Sequence, residues 1–206
     1  MPVRPEDSVG AAPSPYASMY AGVQDGPFFI PAVDYARLDP RYLRQMVPFV
    51  GYEEPGSIVV DPSRCFLYFV MEGGQAIRYG CGVGKAGFEY EGEAEILRKA
   101  EWPRWTPTPD MIAREPEKYA HLTAGMDGGP DNPLGARALY LFRNGEDTLY
   151  RIHGSQEAYS IGKAVSSGCV RLINQDVVDL HLRVGIGARV TVLPYGAEDR
   201  TAPWMA

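Results

Sequence analysis

Two side chains that can share nucleophilic chemistry stand sixteen positions apart in the second half of the chain. His153 ends a strand-like run, and Cys169 follows Gly168 in a turn. A thiol becomes a competent nucleophile near neutral pH when a base takes its proton or a positive charge lies nearby. Histidine is suited to that transfer because its unperturbed pKa is close to neutral. The spacing therefore predicts a pair in which His153 activates Cys169.

The residues that flank this pair are of types that support it. Gly154 allows close backbone approach, so a carbonyl can hold the imidazole in one tautomer. Gly168 lets the turn before Cys169 expose amide N–H groups, which form an oxyanion hole. Arg171 falls on the same face of an extended segment as Cys169, where its guanidinium can hold a substrate carboxylate. A Cys or a His alone more often serves packing, so the prediction of catalysis depends on the combination.

The elements that position these residues are predicted to be mainly strands. The chain has 206 residues with 23 Gly, 18 Pro and 13 Tyr, a composition that favours turns and β-structure over a helical bundle. Alternating and apolar runs predict strands at 57–61, 64–71, 75–83, 136–143, 147–153 and 189–193. One helix is predicted over 175–184, with Asn174 as its N-cap.

Three regions are predicted along the chain. Residues 1–55 form an extended, Pro-rich N-terminal arm, with one short helix that starts at Asp39 as N-cap and Pro40. Residues 56–194 form a mostly β domain with one or two short helices, and 195–206 form a C-terminal tail.

Composition excludes several classes of protein. The formal net charge is −6, which disfavours a nucleic-acid partner, and 45% hydrophobic residues exclude wholesale disorder. The longest apolar run, 65–71, is too short to span a bilayer, and no signal peptide is visible. No Cys/His cluster has metal-ligand spacing, so a structural zinc is not expected.

Cys65 and Cys81 lie on either side of a predicted turn. A three-residue loop over 72–74 sets the two cysteines opposite each other on one sheet face, at a separation that a disulfide can bridge. A loop of two or four residues puts them on opposite faces. A disulfide and two packed free thiols therefore both remain open.

The motif HGS…SIG…SSGCVRL, at 153–155, 160–162 and 166–172, resembles the L,D-transpeptidase catalytic domain of bacterial cell-wall enzymes. Segments 56–61, 66–68, 132–135 and 186–190 also resemble elements of that family, and 102–106 resembles its proteobacterial branch. The resemblance covers about 57–193. It implies a β-sandwich-like catalytic domain.

The resemblance also assigns roles to single residues. It implies that Cys169 is the nucleophile, that His153 is the general base and acid, and that the Gly154 carbonyl orients the imidazole. Many members of the family carry His where this chain has Ser167. Ser167 is expected to act in acceptor binding or in stabilising the thiolate.

The implied reaction is acyl transfer on peptidoglycan stem peptides in the periplasm. The thiolate attacks the meso-diaminopimelate carbonyl of a tetrapeptide stem, releases D-Ala, and passes the acyl group to an amine. A stem-peptide amine gives a 3-3 cross-link, a protein amine gives a protein anchored to the wall, and water makes the enzyme an L,D-carboxypeptidase. Carbapenems are expected to acylate the same thiol. The resemblance implies no metal or organic cofactor. The alternatives are an L,D-carboxypeptidase or cross-link hydrolase on the same fold and, from another functional class, a catalytically silent wall-binding module.

Other residues are weaker candidates. Trp102, Trp105 and Tyr159 are of the right type to line a substrate groove, and Trp105 and Tyr159 are predicted to bind substrate, although ordinary core packing explains such residues as well. His121 is expected in a surface loop, and His181 on the helix over 175–184.

Overall fold

The computed structural model describes residues 14–84, 90–166 and 168–196. Its helices are α1 (Pro15–Met19), α2 (Pro109–Arg114), α3 (Pro116–Tyr119) and α4 (Asn174–Arg183). Short 3₁₀ turns lie at Tyr35–Arg37, Pro40–Tyr42, Ala120–Leu122 and Ala158–Ser160. Its strands are β1 (Val23–Asp25), β2 (Phe28–Ile30), β3 (Gln45–Pro48), β4 (Ile58–Asp61), β5 (Phe66–Met71), β6 (Gln75–Gly80), β7 (Val83–Gly84), β8 (Gly92–Glu101), β9 (Arg137–Arg143), β10 (Glu146–Ser155), β11 (Ala164–Ser166), β12 (Val170–Ile173) and β13 (Arg189–Val192).

Nine of these strands form one mixed sheet, in the order β12-β10-β9-β8-β13-β4-β5-β6-β3. Two neighbouring pairs are parallel, β10 with β12 and β13 with β4, and the rest are antiparallel. Two smaller sheets join β1 to β2 and β7 to β11. The expectation of a mostly β domain with few short helices is confirmed. Within the described ranges, no helix is long and apolar enough to cross a membrane.

The β5–β6 hairpin has the register that a three-residue turn predicts. Phe66 pairs with Gly80 and Met71 with Gln75, while Gly73 and Gly74 take positive φ in the turn. The cysteines beyond this ladder are nevertheless free. Cys65 has left the strand conformation, with φ 58°, and its Sγ donates to the Pro62 carbonyl at 3.7 Å. In this structure the alternative of two packed thiols holds.

The described part of the N-terminal arm is more ordered than an extended segment. It holds α1 and the β1–β2 hairpin, and β3 adds an edge to the main sheet by pairing with β6. The helix predicted from Asp39 shortens to a 3₁₀ turn, in which the Asp39 carboxylate accepts the Arg41 N–H at 3.0 Å. The chain becomes extended at Leu43, because it then joins the sheet. Residues 1–13 lie outside the described part.

A set of five polar side chains, which we call the arm cluster, connects this arm to α4. It consists of Tyr20, Arg44, Tyr79, Asp176 and Asp179. The Tyr20 hydroxyl donates to Asp176 Oδ2 at 3.2 Å and accepts the Arg44 N–H at 2.8 Å. Asp179 accepts from the Tyr79 hydroxyl at 2.7 Å and lies 2.9 Å from the Arg44 guanidinium. The arm therefore packs as part of the domain.

The helix after β12 begins differently from the prediction. Asn174 is its first helical residue and not its N-cap; the cap position is Ile173, which makes no side-chain capping bond. The Asn174 side chain instead accepts the Ala136 N–H at 3.0 Å, across the sheet. A tertiary partner has displaced the local capping interaction, and α4 packs against β9, β10 and β12.

Candidate active site

The parallel pairing of β10 and β12 brings the predicted catalytic residues to one place. His153 stands opposite Arg171, and Ile152 opposite Val170. Paired residues of neighbouring strands share a sheet face, and so do residues two apart along a strand. Cys169, two positions before Arg171, thus falls on the His153 side, and all three line one cleft.

The cleft has a volume of about 750 Å³, which is in the usual range for ligand sites. One wall comes from the β8–β9 connection, which carries α2 and α3. Trp105 belongs to this wall and packs edge-on against Tyr119, with ring centroids 6.0 Å apart. The prediction placed Trp105 in a substrate groove, and it lines this cleft.

The His153 ring is held in one tautomer by the backbone. Its Nδ1 lies 2.7 Å from the Gly154 carbonyl oxygen. A carbonyl oxygen only accepts, so Nδ1 carries the proton and Nε2 keeps a lone pair. Burial lowers the pKa of His153 to about 4, against a smaller opposite effect of the Gly154 carbonyl. The imidazole is therefore neutral at pH 7, as a general base must be.

The Cys169 thiol is also neutral in the free protein. Burial raises its pKa, while a backbone hydrogen bond from Arg151 and the charges of Arg151 and Arg171 oppose that rise. Arg151 is held by Asp147 at 2.6 Å and lies over the Tyr140 ring. The resting site thus contains a neutral thiol and a neutral imidazole.

The turn before Cys169 is shaped by Ser166, a residue that sequence reasoning missed. Ser166 is buried, donates to the Cys169 carbonyl at 2.6 Å and accepts the Gly168 N–H at 3.1 Å. Gly168 has φ 131°, a conformation that favours glycine. Because its N–H already has a partner, the predicted oxyanion role of Gly168 requires that bond to be exchanged. The Ser-x-Gly-Cys spacing is the signal that points to such a turn.

Arg171 forms an ion pair at the wall of the cleft. Its NH1 lies 2.7 Å from Glu157 Oε2, and Glu157 lines the same cleft. A substrate carboxylate held by Arg171 would compete with Glu157. No local pattern singled out Glu157, because the 3₁₀ turn after β10 is what brings it to Arg171.

Tyr159 and Trp102 are not among the residues that line the cleft. Tyr159 is 66% exposed and lines a different cavity, between 30–38 of the arm and 155–159, so it reaches the cleft only through its bond to Glu157. That Tyr159 binds substrate therefore stays a prediction. Trp102 donates to Asp25 at 2.8 Å and packs on Phe28, as a core residue does. Ser167 lies outside the described residues.

The other histidines stand apart from this cleft. His121 lies in the exposed 3₁₀ turn Ala120–Leu122, and His181 is on α4. In the part of the chain that the structure describes, no three His, Cys, Asp or Glu side chains come together to hold a metal ion.

Comparison with known families matches residues 55–192 to the YkuD family, described as the L,D-transpeptidase catalytic domain. A curated relative from Escherichia coli K12, named a probable L,D-transpeptidase ErfK/SrfK, is 35% identical over 150 residues. That match covers 71% of this chain and 47% of the relative, so the chain spans about half the length of this relative.

Two solved structures share the fold. A Brucella melitensis protein, described as a probable carnitine operon oxidoreductase caia, is 51% identical with TM-score 0.52, covering 78% of this chain and 99% of that one. L,D-transpeptidase 3 from Mycobacterium tuberculosis, in complex with a faropenem-derived adduct, is 16% identical with TM-score 0.50, covering 67% and 60%. The oxidoreductase name belongs to the Brucella protein, whereas the family match spans His153 and Cys169 of this chain.

Proposed function

This chain belongs to the YkuD family of L,D-transpeptidase catalytic domains, and from that membership we propose that it is a peptidoglycan L,D-transpeptidase. The observation that carries the proposal is the state of His153. Its Nδ1 is bonded to the Gly154 carbonyl at 2.7 Å, in the wall of a cleft that Cys169 also lines. This arrangement leaves Nε2 to take a proton from the thiol, as nucleophilic catalysis requires.

The first half-reaction acylates the enzyme. Cys169 Sγ attacks the meso-diaminopimelate carbonyl of a tetrapeptide stem, and the thiol proton passes to His153 Nε2. The C–N bond to the terminal D-Ala then breaks, and His153 gives the proton to the leaving amine. D-Ala departs as a free amino acid, and the stem remains on Sγ as a thioester.

The second half-reaction transfers the stem to an amine. The acceptor nitrogen attacks the thioester carbonyl and loses a proton to His153, the C–S bond breaks, and the proton returns to sulfur. A second stem peptide as acceptor gives a 3-3 cross-link, and an outer-membrane or periplasmic protein as acceptor becomes attached to the wall. We propose the periplasm as the site of this reaction, because the proposed substrate is peptidoglycan.

Arg171 is proposed to hold a carboxylate of the stem. Its guanidinium lines the cleft beside Cys169, and its present partner Glu157 is half exposed, so a substrate anion can replace it. Carbapenems are proposed to acylate Cys169 in the same way as the stem. The faropenem-derived adduct described for the Mycobacterium tuberculosis enzyme supports this expectation by likeness of fold only.

Incubation with a carbapenem followed by intact-mass measurement tests the nucleophile. We expect one adduct on the wild-type protein and none on Cys169→Ala. Cys65→Ala is the matched control and should keep the adduct, because Cys65 is a buried thiol whose pKa is raised by burial. A wild-type protein without an adduct, or an adduct that survives in Cys169→Ala, would contradict the assignment.

Isolated tetrapeptide muropeptides test the reaction. Cross-linked dimers with release of D-Ala support transpeptidation, and tripeptides alone identify an L,D-carboxypeptidase on the same fold. A folded protein that binds the muropeptides without changing them is a wall-binding module, and the proposal then fails.

A further inference from the structure

Asn174 packs against Gly154, the residue whose carbonyl oxygen lies 2.7 Å from His153 Nδ1. Strand β10 lies between β9 and β12 in the sheet. Asn174 directly follows β12, and Ala136 directly precedes β9. The hydrogen bond from the Ala136 N–H to Asn174 Oδ1, at 3.0 Å, therefore crosses the end of β10 at Gly154. One side chain thus ties together both neighbours of the strand that carries His153.

Two glycines make room for this side chain. A Cβ at Gly154 would overlap Asn174 Oδ1, and so would a Cβ at Gly135, which also takes a positive φ of 62°. The Asn174 oxygen therefore packs directly against the Gly154 peptide. Asn174 is only 3% exposed, so its side chain is packed within the protein.

We propose that Asn174 is a positioning residue, which keeps the Gly154 carbonyl aimed at His153 Nδ1. The inference rests on the proposed function and deepens it. If Asn174 Oδ1 is removed, the Gly154 peptide can rotate, its carbonyl leaves Nδ1, and the ring can place its proton on Nε2. In that tautomer Nε2 is a donor, and it can no longer accept the proton of Cys169.

Gln175 provides a matched control in the next position of α4. Like Asn174 it is buried, at 7% exposed, and bonded to backbone, but as a donor: its side-chain amide donates to Ala21 O at 3.2 Å and to Pro31 O at 2.8 Å. These partners belong to the arm and not to the strand end at Gly154. Gln175→Ala should therefore lower stability without affecting the His153 tautomer.

The tautomer is measured directly by ¹⁵N NMR of the imidazole rings. The chain has three histidines, and His121→Gln and His181→Gln assign the other two. We expect the Nδ1–H signature of His153 in the wild type, in Gln175→Ala and in Asn174→Asp, which keeps an oxygen acceptor. We expect Asn174→Ala to show mixed tautomers and at least about a tenfold loss in the rate of Cys169 acylation by a carbapenem.

An unchanged His153 tautomer in folded Asn174→Ala, or its loss in folded Gln175→Ala, would overturn the proposal. If Asn174→Ala does not fold, Asn174→Ser carries the same test, because its shorter side chain withdraws the oxygen from between the two glycines. If the wild type is not acylated, the proposed function fails, while the NMR result still decides the role of Asn174.

Discussion

The arm cluster and the Cys–His cleft both contain ionisable groups with shifted pKa values. In the arm cluster, burial raises the pKa of Asp176 to about 7, against the charge of Arg44. In the cleft, burial lowers the pKa of His153 to about 4. The same cause, desolvation, thus favours the neutral form at both places.

The two regions differ in access and in partners. Asp176 is fully buried, and its neighbours are a tyrosine and an arginine that hold it in place. His153 lines an open cleft together with the Cys169 thiol. Its Nδ1 is bonded to the Gly154 carbonyl, and its Nε2 is not part of that bond. A shifted pKa therefore marks a catalytic group only where a reacting partner and room for a substrate are also present.

Replacement of His153 should have the largest effect on chemistry. We expect His153→Ala to lower the rate of Cys169 acylation by about 10² to 10⁴, the usual contribution of a general base. The hydrogen bond of the ring joins His153 only to the next residue, Gly154, and connects no two elements of the fold. The variant should therefore still fold. Intact-mass kinetics with a carbapenem and circular dichroism measure the two properties. His181→Ala is the control, and acylation at the wild-type rate by His153→Ala would remove it from the mechanism.

Replacement of Asp176 should instead affect stability. We expect Asp176→Ala to cost roughly 3 kcal/mol, because it leaves Arg44 and the Tyr20 hydroxyl with an incomplete set of buried partners. Urea denaturation measures this cost, and Cys169 acylation in the folded variant should stay within about threefold of wild type. Asp176→Asn keeps the size and the acceptor and should cost much less. A folded Asp176→Ala variant whose Cys169 acylation rate falls by much more than threefold would show that the two regions are not independent.

The pH dependence should be the smallest of the three effects and the most specific. Protonated imidazole cannot accept a proton, so the acylation rate should fall as pH drops through about 4, the pKa of His153, and not near its ordinary value of about 6.5. The free energy of unfolding should fall in the same direction. Between pH 6.5 and about 4 the unfolded chain binds a proton at His153 that the folded chain does not, so stability decreases as the pH falls through this range. A rate profile with its acid limb near 6.5 would contradict a desolvated base.

Much of the site was predictable because its signals are local. The Cys169 and His153 types, their glycines and Arg171 are readable as a motif, and the β5–β6 register follows from the length of one turn. The fold class follows likewise from short alternating runs separated by glycine and proline.

The features that sequence reasoning missed depend on partners that are distant in the chain. Asn174 is a residue type that favours the N-cap position, but its Oδ1 accepts the N–H of Ala136, 38 positions earlier, instead of a helix N–H. Tyr20 appeared to lie in an extended arm, yet it bonds to Asp176, 156 positions later. Glu157 and Tyr159 are two residues apart, and only the turn after β10 sends one to the cleft and the other to a separate cavity.

The sequence by itself determined which groups can do the chemistry and on which kind of element they stand, because residue type, periodicity and turn length act over a few positions. The folded chain was needed to show which ring nitrogen of His153 lies at the Gly154 carbonyl, which side chain packs against Gly154, and how residues 14–55 join the domain. Those properties come from contacts across the sheet and from burial, and neither exists until the strands have paired.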